Sequence, residues 1–142
     1  MRRLDLLILV GMVALAAALS RPQPEPVRVQ IGQYALGTPR AQIEDSLRGQ
    51  NWFGYDDQIL CDHDLRFRGG RLCAVIGEDL AVGEYTLEAG EYIGEVERML
   101  GEPTTRRKHQ QGVLLVYPQV DVWLADGKHV SQFRVGSCDY WP

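Results

Sequence analysis

The sequence has no motif that would assign catalytic or metal chemistry to it. Its three histidines, His63, His109 and His129, have no zinc-ligand spacing with a cysteine. The glycines form no phosphate-binding loop, and no serine lies in a nucleophile elbow. The acidic residues between positions 78 and 91 lack the regular spacing of a calcium loop. We therefore expect a protein that is not an enzyme and that has neither a metal site nor a cofactor.

The chain also lacks an excess of basic residues. It has 15 lysines and arginines against 19 aspartates and glutamates among 142 residues, and its formal net charge is −4. Proteins that bind nucleic acid concentrate positive charge on one surface, so we do not expect nucleic acid as the partner. Apolar residues make up 45% of the chain, which is enough for a folded core and too many for a disordered protein.

Cysteines are few, and their number is odd. Because Cys61, Cys73 and Cys138 cannot all pair within one chain, at least one is free or pairs elsewhere. A bond between Cys61 and Cys73 would need their Cα atoms within about 7 Å. The hairpin register described below opposes that pair, since it places Cys73 opposite Arg66. The sequence assigns no disulfide.

The one long apolar run lies at the N-terminus. Residues 1–20 begin with Arg2 and Arg3 and are apolar from Leu4 to Leu19 except at Asp5. A cleaved secretory signal is one interpretation, and the protein would then be secreted or periplasmic. We favour the other, a single-pass anchor in the lipid bilayer of the cytoplasmic (inner) membrane, with the globular domain on the extracytoplasmic side. The predicted anchor residues are Leu4, Leu7, Ile8, Val10, Val13, Leu15 and Leu19.

The pattern of the remaining sequence predicts a linker, a repeated unit and a tail. Residues 21–30 contain "RPQPEP", whose alternating prolines favour an extended linker. One helical pattern then occurs twice at a spacing of 53 residues, in the pairs Gly37 and Gly90, Ile43 and Val96, and Leu47 and Leu100. The spacing of the apolar residues predicts one buried face on each helix. We predict two halves, residues 31–81 and 82–135, followed by a tail at 136–142.

Antiparallel strands are predicted after each helix. Gly69-Gly70 and Asp126-Gly127 are two-residue hairpin turns, and apolar and polar residues alternate on both sides of them. The resulting register pairs Phe67 with Leu72, Arg66 with Cys73, and Trp123 with Val130. A connection at Pro118-Gln119 pairs Leu115 with Val122. The predicted fold class is α+β, with two tandem helix-plus-antiparallel-sheet halves after an N-terminal hydrophobic helix.

The chain after the linker resembles the BamE family, also called SmpA/OmlA. The resemblance is carried by "LGEP" at 100–103, "VYP" at 116–118 and "VDVWLADGKHVSQFRV" at 120–135, and by the helix start Gly37-Thr38. The first copy departs from the family pattern at Arg48-Gly49-Gln50, and the family's lipoprotein cysteine is absent. The doubling resembles the β-lactamase-inhibitor-protein architecture. The resemblance covers residues 31–135 and implies an exported, non-catalytic module that binds another protein.

We predict that the helices cover one sheet face and that the other face binds a partner protein. The protein would then be an accessory or scaffold subunit of a membrane protein complex, or alternatively a secreted binding or inhibitor protein. Tryptophan and arginine dominate binding hot spots. The predicted interface residues are Arg66, Arg68, Arg71, Leu114, Val116, Trp123, Val130 and Arg134. A second interpretation, equally open, is that the C-terminal "CDYWP" folds back over Trp123.

Overall fold

The structure is a computed structural model that describes residues 27–138. The predicted anchor residues Leu4, Leu7, Ile8, Val10, Val13, Leu15 and Leu19 lie outside the described residues. From position 27 to position 138, no helix is both long and apolar enough to cross a membrane, and the longer of the two helices there has eight residues. The assignment to a single-pass protein of the inner membrane is therefore unsupported and is withdrawn.

Residues 27–138 contain two short helices and eleven strands. The helices are α1 (Arg40–Ser46) and α2 (Ile93–Leu100). The strands are β1 (Val29–Gln30), β2 (Phe53–Gly54), β3 (Gln58–Leu60), β4 (Asp64–Arg68), β5 (Arg71–Gly77), β6 (Asp79–Val82), β7 (Tyr85–Glu88), β8 (Thr105–His109), β9 (Gly112–Val116), β10 (Asp121–Leu124) and β11 (Gln132–Gly136).

The strands form one large antiparallel sheet and one small one. The large sheet has the order β2-β3-β4-β5-β11-β10-β9-β8, and the small sheet has the order β1-β6-β7. Strands account for 44% of the structure and helices for 13%, so the protein is mostly β. The predicted α+β fold with two helix-plus-sheet halves is wrong, because the helices are short and β5 pairs with β11 to make one continuous sheet.

The 53-residue repeat corresponds to a repeated backbone arrangement. Gly37 and Gly90 both have positive φ, at 87° and 94°, a region in which an L side chain would be strained. The N–H of Gly37 donates to the carbonyl of Leu72, and the N–H of Gly90 donates to that of Val130, both at 2.7 Å. The repeated residues therefore attach each helix start to the strand or loop that follows a hairpin turn.

One hydrophobic core joins the helices to the inner face of the large sheet. It contains Ile43 of α1, Val96 of α2 and Leu87 of the small sheet, together with Leu115 and Phe133 of the large sheet. Each of these side chains is 3% exposed or less. Because alternate residues of a strand point to opposite faces, the side chains between the core residues point to the outer face of the large sheet.

Tyr117 connects the end of β9 to the end of α2. Its side chain is buried, and its hydroxyl donates to the carbonyl of Gly101 at 3.0 Å. Burial, with the nearby charge of Glu97, raises the pKa of Tyr117 from 10.0 to about 12. Arg106 acts in the opposite direction. The folded state therefore holds this proton more tightly than the unfolded chain does.

We expect this pKa shift to make stability fall at alkaline pH. The contribution of Tyr117 is complete below the unfolded pKa of 10.0 and is lost as pH rises through about 12. Tyr117→Phe should cost about 1 kcal/mol at pH 7 and should make the loss between pH 10 and 12 less steep. Urea unfolding at a series of pH values measures both effects. The control Tyr55→Phe, at a tyrosine that is 55% exposed, should change neither, and an unchanged slope in Tyr117→Phe would contradict the account.

Candidate protein interface

The outer face of the large sheet is assembled from residues on six strands. Trp123 lies opposite Leu114 of β9 and Gln132 of β11. Arg134 lies opposite Asp121 of β10 and Ile76 of β5. We call this surface the open face, because the helix residues in the core pack on the opposite side. Its members are Gln58, Asp64, Arg66, Ala74, Ile76, Leu114, Val116, Asp121, Trp123, Gln132 and Arg134.

Three apolar side chains of the open face form a group that we call the Trp123 patch. The patch consists of Leu114, Val116 and Trp123, each only partly buried. The indole of Trp123 lies against Gly112 on the neighbouring strand, where a Cβ atom would be 2.2 Å from Cη2 of the ring. The indole therefore occupies the space beside β9 that a side chain at position 112 would fill.

Two ion pairs border the apolar residues of the open face. Arg66 binds Asp64 through two bonds, Nε to Oδ1 at 2.8 Å and Nη2 to Oδ2 at 2.9 Å. The hydrogen bond to Asp64 raises the pKa of Arg66. Arg134 pairs with Asp121, and the two side chains are 12% and 17% exposed. Both guanidinium groups are thereby held in defined positions.

A cleft opens beside the Trp123 patch, where β4, β5 and β11 adjoin. Its volume is 460 Å³. Arginine side chains surround a floor of small and aliphatic residues, and we call this cavity the arginine cleft. It is lined by Asp57, Asp64, Arg66, Phe67, Arg68, Ala74, Ile76, Gln132, Arg134 and Cys138.

The residues at the floor of the cleft differ from the sequence-based expectation because β5 contains a bulge. The pairs of Phe67 with Leu72 and of Arg68 with Arg71 are as predicted, but Arg66 pairs with Ala74 instead of Cys73. One extra residue in a strand exchanges the two faces beyond it. The predicted alternation therefore has the wrong faces after the bulge, so Val75 is in the core and Ala74 and Ile76 point outward.

A disulfide connects this bulge to the C-terminal end of the described chain. Cys73 is bonded to Cys138, with their Cα atoms 5.3 Å apart. Of the three cysteines, all of which lie within residues 27–138, Cys61 is the free one. The sequence left the pairing open because neither Cys73 nor Cys138 belongs to a spacing motif. The bond holds Cys138 at the wall of the arginine cleft.

Val130 is not on the open face, and that part of the predicted interface is corrected. It is 3% exposed and belongs to the core. Trp123 pairs with Gln132 instead of Val130, because the connection after Asp126-Gly127 is longer than the predicted two-residue turn. The carbonyl of Val130 accepts the hydrogen bond of the Gly90 N–H as the carbonyl of Leu72 accepts that of the Gly37 N–H, and both side chains are buried.

The other predicted interface residues fall into three places. Leu114, Val116 and Trp123 lie together in the Trp123 patch, whereas Arg66, Arg68 and Arg134 lie together in the arginine cleft. Arg71 is directed elsewhere, since its Nη1 donates to the carbonyl of Gly37 at 2.8 Å. Sequence reasoning missed Asp64, Ala74, Ile76 and Cys138. The non-alternating run "LCAVI" at 72–76 is the signal that could have indicated the bulge.

No family model, curated protein or solved structure matches the chain. The resemblance to the BamE family therefore stays a prediction. The argument for function rests on the geometry of the open face.

Proposed function

We infer that this protein is a non-catalytic module that binds another protein through the open face of its large sheet. The observation that carries the inference is the Trp123 patch, in which Trp123 and Leu114 lie side by side on the sheet face opposite the helices. Partly exposed apolar groups of this kind are typical of interaction sites. The proposed contact residues are Leu114, Val116, Trp123 and Arg134, with Arg66 and Arg68 at its border.

The patch also has the energetic features of a binding hot spot. Tryptophan and arginine contribute large contact areas at interfaces, and Arg134 is in place beside its partner Asp121. Since the indole of Trp123 already packs against Gly112, binding would order few additional rotamers. A preorganised side chain loses less entropy on association.

The contacts of the free thiol Cys61 and of the neighbouring His63 favour a binding module over an enzyme. The Sγ of Cys61 lies 3.4 Å from the backbone carbonyl of His63 and 3.7 Å from the hydroxyl of Tyr34. The His63 ring packs edge-on against the ring of Tyr34, with centroids 5.5 Å apart. A nucleophile is activated when the base itself is within hydrogen-bond reach, and these contacts instead use the carbonyl and the phenol.

Photo-crosslinking from two defined positions captures the partner and tests whether it contacts the open face. A photoreactive amino acid replaces Val116 in one variant and Tyr85, which is 68% exposed on β7 of the small sheet, in the other. Both variants are expressed in the source cells. An adduct specific to position 116 is the expected result, and the partner is then purified. Identical adducts at both positions would argue against the open face.

Trp123→Ala should weaken binding of that partner by about 2 kcal/mol or more, roughly 30-fold in Kd. The domain should stay folded, because the indole lies on the outer face of the sheet. Isothermal titration calorimetry measures the affinity, and circular dichroism measures the folded fraction. Phe53→Ala is the matched control, since Phe53 is 70% exposed on the edge strand β2. The proposal fails if affinity follows only the folded fraction of Trp123→Ala.

A further inference from the structure

Strand β8 forms an open edge of the large sheet. It is the last strand in the sheet order, and within residues 27–138 it pairs only with β9. All five of its residues, Thr105–His109, are exposed. Because alternate residues of a paired strand direct their N–H and C=O groups away from the neighbour, backbone donors and acceptors face outward along this edge.

The backbone of β8 is suited to pair with an additional strand. It pairs with β9 at five consecutive positions without a register shift, and it contains no proline. The opposite edge of the large sheet, β2, is only two residues long. Short, bulged or proline-containing edges resist strand addition, whereas a regular edge of five residues supports it.

The side chains of β8 determine which strand can pair with it. The net charge of the chain is −4, but Arg106, Arg107 and Lys108 are consecutive here. Arg106 pairs with Glu97 of α2, whereas residues 27–138 provide no carboxylate partner for Arg107 or Lys108. A second copy of β8 would bring like charges together, which is destabilising. The edge therefore disfavours pairing with itself and favours an acidic strand.

The two unpaired cations lie on opposite faces of the sheet. Arg107 is opposite Leu114 and so lies on the open face, whereas Lys108 is opposite Val113 and lies on the face that packs on the helices. An added strand directs successive side chains to alternate faces, so two adjacent acidic residues would meet both cations. A phosphate backbone has acceptors but no donors for the outward carbonyl groups, so the edge fits a peptide better than a nucleic acid.

We propose that β8 is a second protein-binding site, which takes an acidic peptide segment as an added β-strand. Backbone hydrogen bonds along the edge hold the segment, and carboxylates that pair with Arg107 and Lys108 select its sequence. The inference goes beyond the proposed function, because this site uses the backbone of one edge strand and requires no contact with Trp123.

The test is a nuclear magnetic resonance titration of the full chain with a synthetic peptide. The peptide has four threonines and four glutamates, with the glutamates in adjacent pairs. We expect slower amide hydrogen exchange at the β8 positions that point away from β9, and unchanged exchange in β7, an edge strand of the small sheet. A control peptide carries a methyl group on every backbone nitrogen, and it should bind about 10-fold more weakly or less, because it has no N–H donors.

A charge-reversal variant tests the selectivity of the edge. Arg107→Glu/Lys108→Glu should weaken binding of the acidic peptide about 10-fold, because two attractive contacts become repulsive. Arg28→Glu/Arg48→Glu is the matched control, since it changes the net charge equally at two exposed arginines outside β8. At about 0.15 M salt, distant charges are screened, so this control should keep the native affinity.

Three results would overturn the proposal. The first is unchanged hydrogen exchange in β8 with the acidic peptide, and the second is equal binding of the N-methylated peptide, which would show attraction without an added strand. The third is tighter binding of a DNA duplex, lost in Arg107→Glu/Lys108→Glu, which would indicate a phosphate-binding surface. None of them bears on the open face, because partner affinity in Trp123→Ala is measured separately.

Discussion

Phe133→Ala is expected to lower the free energy of unfolding by about 3–5 kcal/mol, as a phenylalanine deletion in a tightly packed core does. Phe133 is 0% exposed and lies on β11, which joins β5 to β10 in the middle of the large sheet. Its cross-strand neighbours are Val122 and Gly77. The loss combines the transfer free energy of the ring with the cost of the cavity that remains.

The surroundings of Phe133 leave little room for collapse into that cavity. A Cβ atom at Gly77 would lie 2.8 Å from side-chain atoms of His63 and of Ile31, so this part of the core is already closely packed. Urea unfolding followed by circular dichroism measures the change. Gln132→Ala, on the outer face of the same strand, should stay within about 0.5 kcal/mol of the native protein. Equal losses in both variants would contradict the assigned faces of β11.

Removal of the disulfide is expected to cost about 2–4 kcal/mol. Cys73 and Cys138 are 65 residues apart in sequence, so the bond restricts a long loop in the unfolded chain. The double variant Cys73→Ser/Cys138→Ser should unfold at a lower urea concentration than the oxidised native protein. It should also be insensitive to dithiothreitol, whereas the native protein should lose stability on reduction.

Cys61→Ser provides the matched control for this measurement. Because Cys61 is a free thiol, its replacement should leave the reductant-dependent loss of stability in place. A Cys61→Ser protein that no longer responds to dithiothreitol would show that the pairing differs from the one described. The comparison therefore separates the loss of a covalent bond from the loss of a partly buried cysteine side chain.

The Gly69-Gly70 turn and the end of α2 were the parts of the fold that the sequence predicted well. Gly69-Gly70 correctly placed Phe67 opposite Leu72, and the predicted pair of Leu115 with Val122 is also present. Gly101 ends α2 with a φ of 79°, as expected for a glycine at a helix end. These features depend on a few neighbouring residues, which is why local reasoning was sufficient for them.

The fold class could not be predicted because several strands give no periodic signal. All five residues of β8, "TRRKH", are exposed, since it is the edge strand of the large sheet. Strand β6 pairs with β1 on one side and with β7 on the other, in a separate small sheet. The two amphipathic stretches predicted helices, although each helix covers only about two turns. Hence a mostly β protein was predicted as α+β.

The candidate site was predicted in part. The prediction was correct on β9 and β10, and it failed for different reasons at Val130 and on β5. Leu114, Val116 and Trp123 lie in strands with regular alternation, so their shared face followed from the turn. Val130 was misplaced because the connection after Asp126-Gly127 is longer than two residues. On β5, the bulge at Cys73 changed the face of every later residue. Neither irregularity has a local sequence rule as strong as that for a two-residue turn.

The most direct test of the proposed interface is a cross-saturation experiment on the complex with the partner identified by photo-crosslinking. Saturation of the partner should reduce the methyl signals of Leu114 and Val116 and the indole N–H signal of Trp123. The methyl signals of Leu87 in the core should keep their intensity. Signal loss concentrated instead at Phe53 and Tyr55, near the opposite edge of the large sheet, would contradict the claim that the open face binds the partner.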